Sequence, residues 1–441
     1  MQRVLSKPFN MNPVRPSISL AAPTLKISDH RTLLLSSLGG ALEFYDFIIF
    51  VFFAPVIGQL FFPQSIPEWL RQAQTFGIFA AGYLARPLGG VIMAHFGDLS
   101  GRKKMFTLSV ILMSLPTFAI AIIPTYVDIG IFAPILLLVC RICQGAAVGG
   151  EVPGAWVFVS EHMPTRYVGY ACGLLTGGLT FGIFIGSVVA SSIHSTLSTQ
   201  AINEYGWRVP FVIGGFFGLL AAFLRRWLKE TPVFMEMKDS QSLAKEAPLK
   251  AVLRNHKKSV FTSMMLTWTL TAGIVVVILM TPALIEKRFQ ISPAISLKAN
   301  AYATACLTAG CILAGIIAGK IGASKTIFFG CLLQGASYLL MLHLLTDFPV
   351  ALIPLYAISG FFVGTIAAIP VAMVNAFPSS VRFSGISFSY NVAYALFGGI
   401  TPVLISLLSS TIRQAPEAYV GVLCVAGAIA GLATPCLVAK K

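Results

Sequence analysis

The sequence predicts an all-α membrane protein of twelve transmembrane helices in two six-helix halves. Three observations carry this. Of the 441 residues, 56% are hydrophobic and only 11% are charged, against roughly 25% charged in a soluble domain. The apolar residues come in runs of about twenty, the length a helix needs to cross a hydrocarbon core about 30 Å thick. These runs do not alternate in polarity, so they satisfy their backbone groups as helices and not as strands of a closed barrel.

The expected spans are 33–61, 73–96, 105–125, 131–159, 168–193, 209–228, 260–284, 299–319, 326–345, 349–376, 385–409 and 418–438. An even number puts both termini on one side. With that side cytoplasmic, its loops, tails and span ends hold 23 of the 31 lysines and arginines. The opposite loops hold Arg71, Arg208, Lys287, Arg288, Lys298 and Arg413, and Arg86 and Arg141 lie inside spans. This positive-inside bias accounts for the net charge of +15 without a nucleic-acid partner. Residues 1–30 lack a continuous apolar core and read as a cytoplasmic tail, not a cleavable leader.

The polar stretch 229–258 divides the chain. It separates a first bundle, 31–228, from a second, 259–441, and reads as a cytoplasmic linker. The halves are weakly self-similar: Arg166-x-x-Gly169 follows span four, and Arg382-x-x-Gly385 follows span ten. A half-length repeat in one orientation marks carriers that rock two bundles around a central site. Span five carries Gly178, Gly182 and Gly186, a spacing that lets helices pack closely.

Ionisable residues inside spans are costly there, so each is a candidate for function. The first half has Glu43 and Asp46 on span one, Arg86 on span two, and Arg141 and Glu151 on span four. Asp46 lies about 20 Å along its helix from the terminus side, at a depth similar to Arg86. The six membrane cores of the second half have no Asp, Glu, Lys or Arg. They offer Trp268 on span seven, and Tyr390, Asn391 and Tyr394 on span eleven. Tyr390 and Tyr394, four apart, share a helix face. With Trp156 these aromatics could face a cationic group, while Arg86 suits a carboxylate through paired hydrogen bonds. The eight cysteines sit in apolar runs as small packing residues. No nucleophile–base set or metal-ligand spacing occurs, so neither an enzyme nor a metal or cofactor is expected.

The loop after span two reads Gly97-Asp98-Leu99-Ser100-Gly101-Arg102-Lys103-Lys104. It resembles the signature loop of the major facilitator superfamily. Several other strings resemble the metabolite:proton symporter family, whose members carry proline and betaine, α-ketoglutarate, citrate or shikimate. They include Leu42-Glu43-Phe44-Tyr45-Asp46-Phe47, Arg86-Pro87-Leu88-Gly89-Gly90, Arg141-x-x-Gln144-Gly145, Glu161-x-x-Pro164 and Gly206-Trp207-Arg208-Val209-Pro210-Phe211. The second-half copy of the loop, Gly319-Lys320-Ile321-Gly322-Ala323-Ser324-Lys325, lacks the acid and the arginine.

The resemblance implies the major facilitator fold and proton-coupled import of a small metabolite by alternating access. The carrier would be a monomer in the cell's inner (plasma) membrane, driven by the proton gradient. Proton-coupled sugar carriers of the superfamily set an acid on span one against an arginine on span four, which implies proton coupling through Asp46 and Arg141 with Glu43 and Glu151 nearby. Arg86, Trp156, Trp268, Tyr390, Asn391 and Tyr394 are the expected substrate contacts. Asp98, Gly101, Arg102, Glu161, Arg166 and Arg382 are the expected gate. A facilitator or exchanger of the same fold that uses no proton is the competing reading. A drug:proton antiporter is a further one, although span five lacks the Gly-Pro pair that such carriers share.

Overall fold

A computed structural model describes residues 25, 27–100, 102–227, 230–239 and 248–434. Among them every regular element is helical. Twelve helices are long and apolar enough to cross a membrane: Asp29–Phe52, Glu68–Phe96, Lys103–Ile122, Phe132–His162, Thr165–Thr196, Gly206–Leu224, Lys257–Phe289, Pro293–Ile321, Ala323–Asp347, Pro349–Ala376, Arg382–Ser409 and Ala415–Ala433. They are spans one to twelve below.

The expected first span, 33–61, is two helices. Span one stops at Phe52, and a short helix, Ala54–Phe61, restarts beyond it. The cause is Pro55, which has no backbone N–H and is tolerated in a first turn but not in a helix interior. Spans seven and twelve are longer at the side opposite the termini than the hydrophobic runs suggest. That extension pairs Arg288 with Glu417. The second half is therefore not free of buried charge, because Glu417 is only 8% exposed.

Span five explains how the halves meet. A side chain at Gly178 or Gly182 would fall on the Ser37 or Ala41 carbonyl of span one. On another face, Gly169 and Gly173 lie against Gly315 of span eight, in the other half. Two glycine stripes let one helix touch both its own bundle and the opposite one. Farther along this seam, Ser187 Oγ donates to Asn300 Oδ1 at 2.7 Å. Asn300 Nδ2 in turn donates to the Ile278 carbonyl at 2.6 Å. That carbonyl belongs to a π-helical stretch of span seven, Ala272–Met280, whose widened turns leave backbone oxygens open to side-chain donors.

The second seam joins spans two and eleven. Span eleven has its own π-helical stretch, Tyr394–Gly398. Between the halves run the short helices Pro232–Asp239 and Pro248–Asn255.

Candidate functional site

Spans two and four approach closely because they meet at glycines. A Cβ at Gly145 would land on the Gly82 carbonyl, and one at Gly89 on Ala146. Along this contact Arg86 lies level with Gly149, eight residues and about 12 Å along span four from Arg141; the two arginines are 1% and 0% exposed.

Arg86 reaches across to the second half. Its Nε donates to Asn391 Oδ1 at 3.4 Å. Its guanidinium carbon lies 4.3 Å from the ring centre of Tyr394, 5.2 Å from Tyr390 and 5.5 Å from Tyr83. Trp156 meets Tyr390 edge-on at 5.0 Å and donates its indole N–H to Thr176. Arg86 Nη2 is buried and has no hydrogen-bond partner among the described residues. A buried guanidinium nitrogen left unpaired is costly, and a carboxylate is the group that matches it best.

Asn391 also closes the seam. Pro153, inside span four, has no N–H to give the carbonyl four residues back, at Gly149. Asn391 Nδ2 takes that place, donating to Gly149 O at 2.6 Å. Ser387 Oγ donates to Gly90 O at 3.0 Å one turn away. The residue that holds Arg86 thus also clamps one half to the other.

Arg141 lies over Phe50 at 4.5 Å and Phe79 at 5.4 Å. Its Nη1 donates to Gln144 Oε1 at 2.9 Å, and Gln144 Nε2 donates to Thr117 Oγ1 at 2.8 Å. The Thr117 hydroxyl lies 3.4 Å from Asp46 Oδ2. Asp46 and Arg141, expected as direct partners, are thus joined through an amide and a hydroxyl. Asp46 is fully buried, and its Oδ1 has no hydrogen-bond partner among the described residues. Gly214 of span six leaves the room that this oxygen occupies.

The other expected residues divide. Glu151 accepts from Ser109 at 2.8 Å, ten residues and about 15 Å along span four from Arg141, so it stands apart from Asp46. Trp268 turns away from the Arg86 cluster. It stacks on Phe397 at 3.9 Å and donates to Tyr419 at 2.9 Å, contacts that keep it within the second half. Glu161 and Arg382 do meet across the halves at 3.4 Å on the terminus side. Glu161 Oε2 also accepts from Thr231 at 3.1 Å. Arg166, in contrast, is exposed and lies over the ring of its neighbour Tyr167 at 4.4 Å. Gly101 and the side chains of Glu43, Asp98 and Arg102 lie outside the described residues.

Sequence reasoning passed over Tyr83, Thr117 and Gly214, and gave Gln144 no role beyond its place in the Arg141-x-x-Gln144-Gly145 string. The Gly149-x-x-x-Pro153 spacing was a usable signal for the seam, since proline predicts which carbonyl lacks its donor. A cavity of about 410 Å³ opens at the terminus side of the second half, lined in part by Thr262, Lys325 and Asn375. None of the expected site residues lines it.

Comparison with known proteins places this geometry. A putative proline/betaine transporter of Staphylococcus aureus strain COL is 30% identical over 90% of this chain and 86% of its own. The proline/betaine transporter of Salmonella typhimurium strain LT2 is 29% identical over 91% of this chain and 82% of its own. Among solved structures, the proton:xylose symporter XylE superposes with a TM-score of 0.76 over 93% of this chain and 96% of its own, at 16% identity. A partially occluded inward-open form of XylE from E. coli gives a TM-score of 0.71 at 18% identity, covering 92% and 96% of the two chains. Residues 36–402 match the profile of the Major Facilitator Superfamily, and the chain belongs to that superfamily: it is a multi-pass membrane transporter and not an enzyme.

Proposed function

We propose that this transporter imports a small carboxylate-bearing metabolite, an amino acid, betaine or organic acid, together with protons. The carrying observation is Arg86, buried at the junction of the halves among Tyr83, Tyr390 and Tyr394, with one guanidinium nitrogen unpaired among the described residues. A substrate carboxylate completes that nitrogen's hydrogen bonding. The rings of Trp156 and Tyr390 then offer apolar surface, or a face for a cationic group. The naming of relatives as proline/betaine transporters is in keeping with such a zwitterion. Asp46, buried with one carboxyl oxygen unpaired among the described residues, is the proton carrier, and the gradient is the only energy source invoked.

The test is uptake of radiolabelled L-proline, glycine betaine and a dicarboxylate into proteoliposomes under an imposed proton gradient. We expect at least one to accumulate and to be displaced by the others. Saturable transport of a neutral sugar or a purely cationic drug, with carboxylates failing to compete, would overturn the reading.

Two further results are expected. The first concerns topology in the plasma membrane. Both termini and the 229–258 segment are cytoplasmic in this proposal, so a cysteine placed at Ser240 stays unmodified by an impermeant thiol reagent added to intact cells. Modification from outside would reverse the assigned orientation.

The second concerns the terminus-side gate. Arg382 is anchored to the Val374 carbonyl at 3.1 Å while it holds Glu161. Glu161→Gln removes the charge and leaves Arg382 half-buried without its counterion. The gate then opens more readily, by about 1 kcal/mol or roughly fivefold in the ratio of conformers. Thiol accessibility of cysteines lining the terminus side should rise accordingly; unchanged accessibility would remove Glu161 from the gate.

A further inference from the structure

We propose that Thr117 and Gln144 are positioning residues that transmit the protonation state of Asp46 to Arg141. This rests on the reading of Asp46 as the proton carrier.

The argument begins with the amide. Gln144 Oε1 faces the Arg141 guanidinium at 2.9 Å and its Nε2 faces Thr117 at 2.8 Å. Arginine only donates, so the amide orientation is fixed: oxygen to Arg141, N–H to Thr117. One lone pair of the Thr117 hydroxyl is thereby occupied. The hydroxyl has a single proton and two acceptors for it, the Met113 carbonyl at 3.0 Å and Asp46 Oδ2 at 3.4 Å.

With Asp46 ionised, the proton turns to the carboxylate. All donors then point one way, from guanidinium to amide to hydroxyl to carboxylate, with a full charge at each end. Such head-to-tail chains polarise one another and are stronger than their parts. With Asp46 protonated, its own O–H donates to the remaining lone pair of Thr117, and the Thr117 proton returns to Met113. The chain now ends on a backbone carbonyl instead of a carboxylate. This chain therefore holds Arg141 more firmly when the site is empty of a proton than when it is loaded.

Among the described residues, which leave out the side chain of Glu43, the elements packed around this chain present the following groups. Tyr45, adjacent on span one, gives its hydroxyl to Pro210 O at 3.0 Å. Span four presents Arg141 itself. Span six presents Gly214 against the carboxyl, span three Thr117, and span five Gly182 beside span one.

The test compares Thr117→Val, Thr117→Ser, Gln144→Leu and Asp46→Asn in proteoliposomes, with L-proline and glycine betaine as probes. The readout is proton-driven accumulation relative to substrate exchange. Thr117→Val and Gln144→Leu should lower that ratio roughly fivefold or more, the effect of losing one or two hydrogen bonds, and Thr117→Ser should restore it. If Asp46→Asn uncouples but Thr117→Val keeps the wild-type ratio, the relay is wrong and the carrier assignment stands. Failure of Thr117→Ser to restore coupling also overturns the relay, because packing of the threonine methyl would then be the cause. If Asp46→Asn still accumulates substrate, the carrier assignment fails and takes the relay with it.

A second measurement needs no substrate. In infrared difference spectra of the purified protein across a pH step, the carboxyl band lost in Asp46→Asn should shift in Thr117→Val and return in Thr117→Ser. An unshifted band in Thr117→Val overturns the proposal. Should the valine variant fail to fold, Gln144→Leu carries the same test from the Arg141 side, with the same two outcomes.

Discussion

Arg86→Lys should weaken substrate binding by roughly ten- to a hundredfold, the loss of one hydrogen bond between charged groups at about 1.5–3 kcal/mol. The reason is geometric. Arg86 uses Nε on Asn391 while Nη2 stays open, and a planar fork can serve both directions at once. A lysine keeps the positive charge and can keep contact with the tyrosine rings. Its ammonium is a point charge, so it must choose between Asn391 and the ligand.

The competing account is that Arg86, beside Pro87, only braces the seam. The two accounts separate on one sample. Bracing predicts a loss of thermal stability in the absence of substrate. A binding role predicts near-normal unfolding without substrate and a loss of the stabilisation that L-proline or glycine betaine confers. A variant that is destabilised when empty yet stabilised by ligand as strongly as the wild type would assign Arg86 to packing.

Much of this architecture is legible from composition. Twelve apolar runs became twelve spanning helices, because lipid gives a chain no other way to satisfy its backbone. Helix ends were harder to read. At Pro55 the hydropathy runs on while the hydrogen-bond ladder cannot. At Arg288 and Glu417 the helix outlasts the apolar run because the two charges neutralise each other.

The site was legible where a residue is expensive in a membrane. Asp46, Arg86 and Arg141 stand out by cost alone, and all three are buried. Gln144 stood out only as part of a motif string, and Thr117 did not stand out. A threonine in a span usually satisfies itself on the carbonyl four residues back, as Thr117 also does, so its second acceptor is invisible without coordinates. Trp268 shows the reverse error. Its residue type suits a substrate wall, but side-chain direction decides, and it points to Tyr419. Tyr390 and Tyr394 were placed correctly on one face, with ring centres 4.9 Å apart, because four-residue spacing is a property of the helix itself.

Asp46→Asn should abolish uphill accumulation while substrate still exchanges across the membrane. The change is nearly isosteric, so Thr117 keeps an oxygen to bond and Gly214 keeps the space open. What is lost is the ability to take up and release a proton. Each proton moved down 100 mV supplies about 2.3 kcal/mol, enough for roughly fiftyfold accumulation when one proton travels with each substrate. In Asp46→Asn that ratio should fall to about one.

The choice of Asp46 over Glu151 is structural. Glu151 is tied to Ser109 and lies about 15 Å farther along span four, whereas Asp46 has an oxygen unpaired among the described residues and a hydrogen-bonded route to Arg141. A carboxyl that must gain and lose a proton needs an oxygen that no donor already holds. Measured side by side, Asp46→Asn and Glu151→Gln should differ: the first carries substrate only to equilibrium, the second still concentrates it. Accumulation surviving in Asp46→Asn and vanishing in Glu151→Gln would move the proton site to span four.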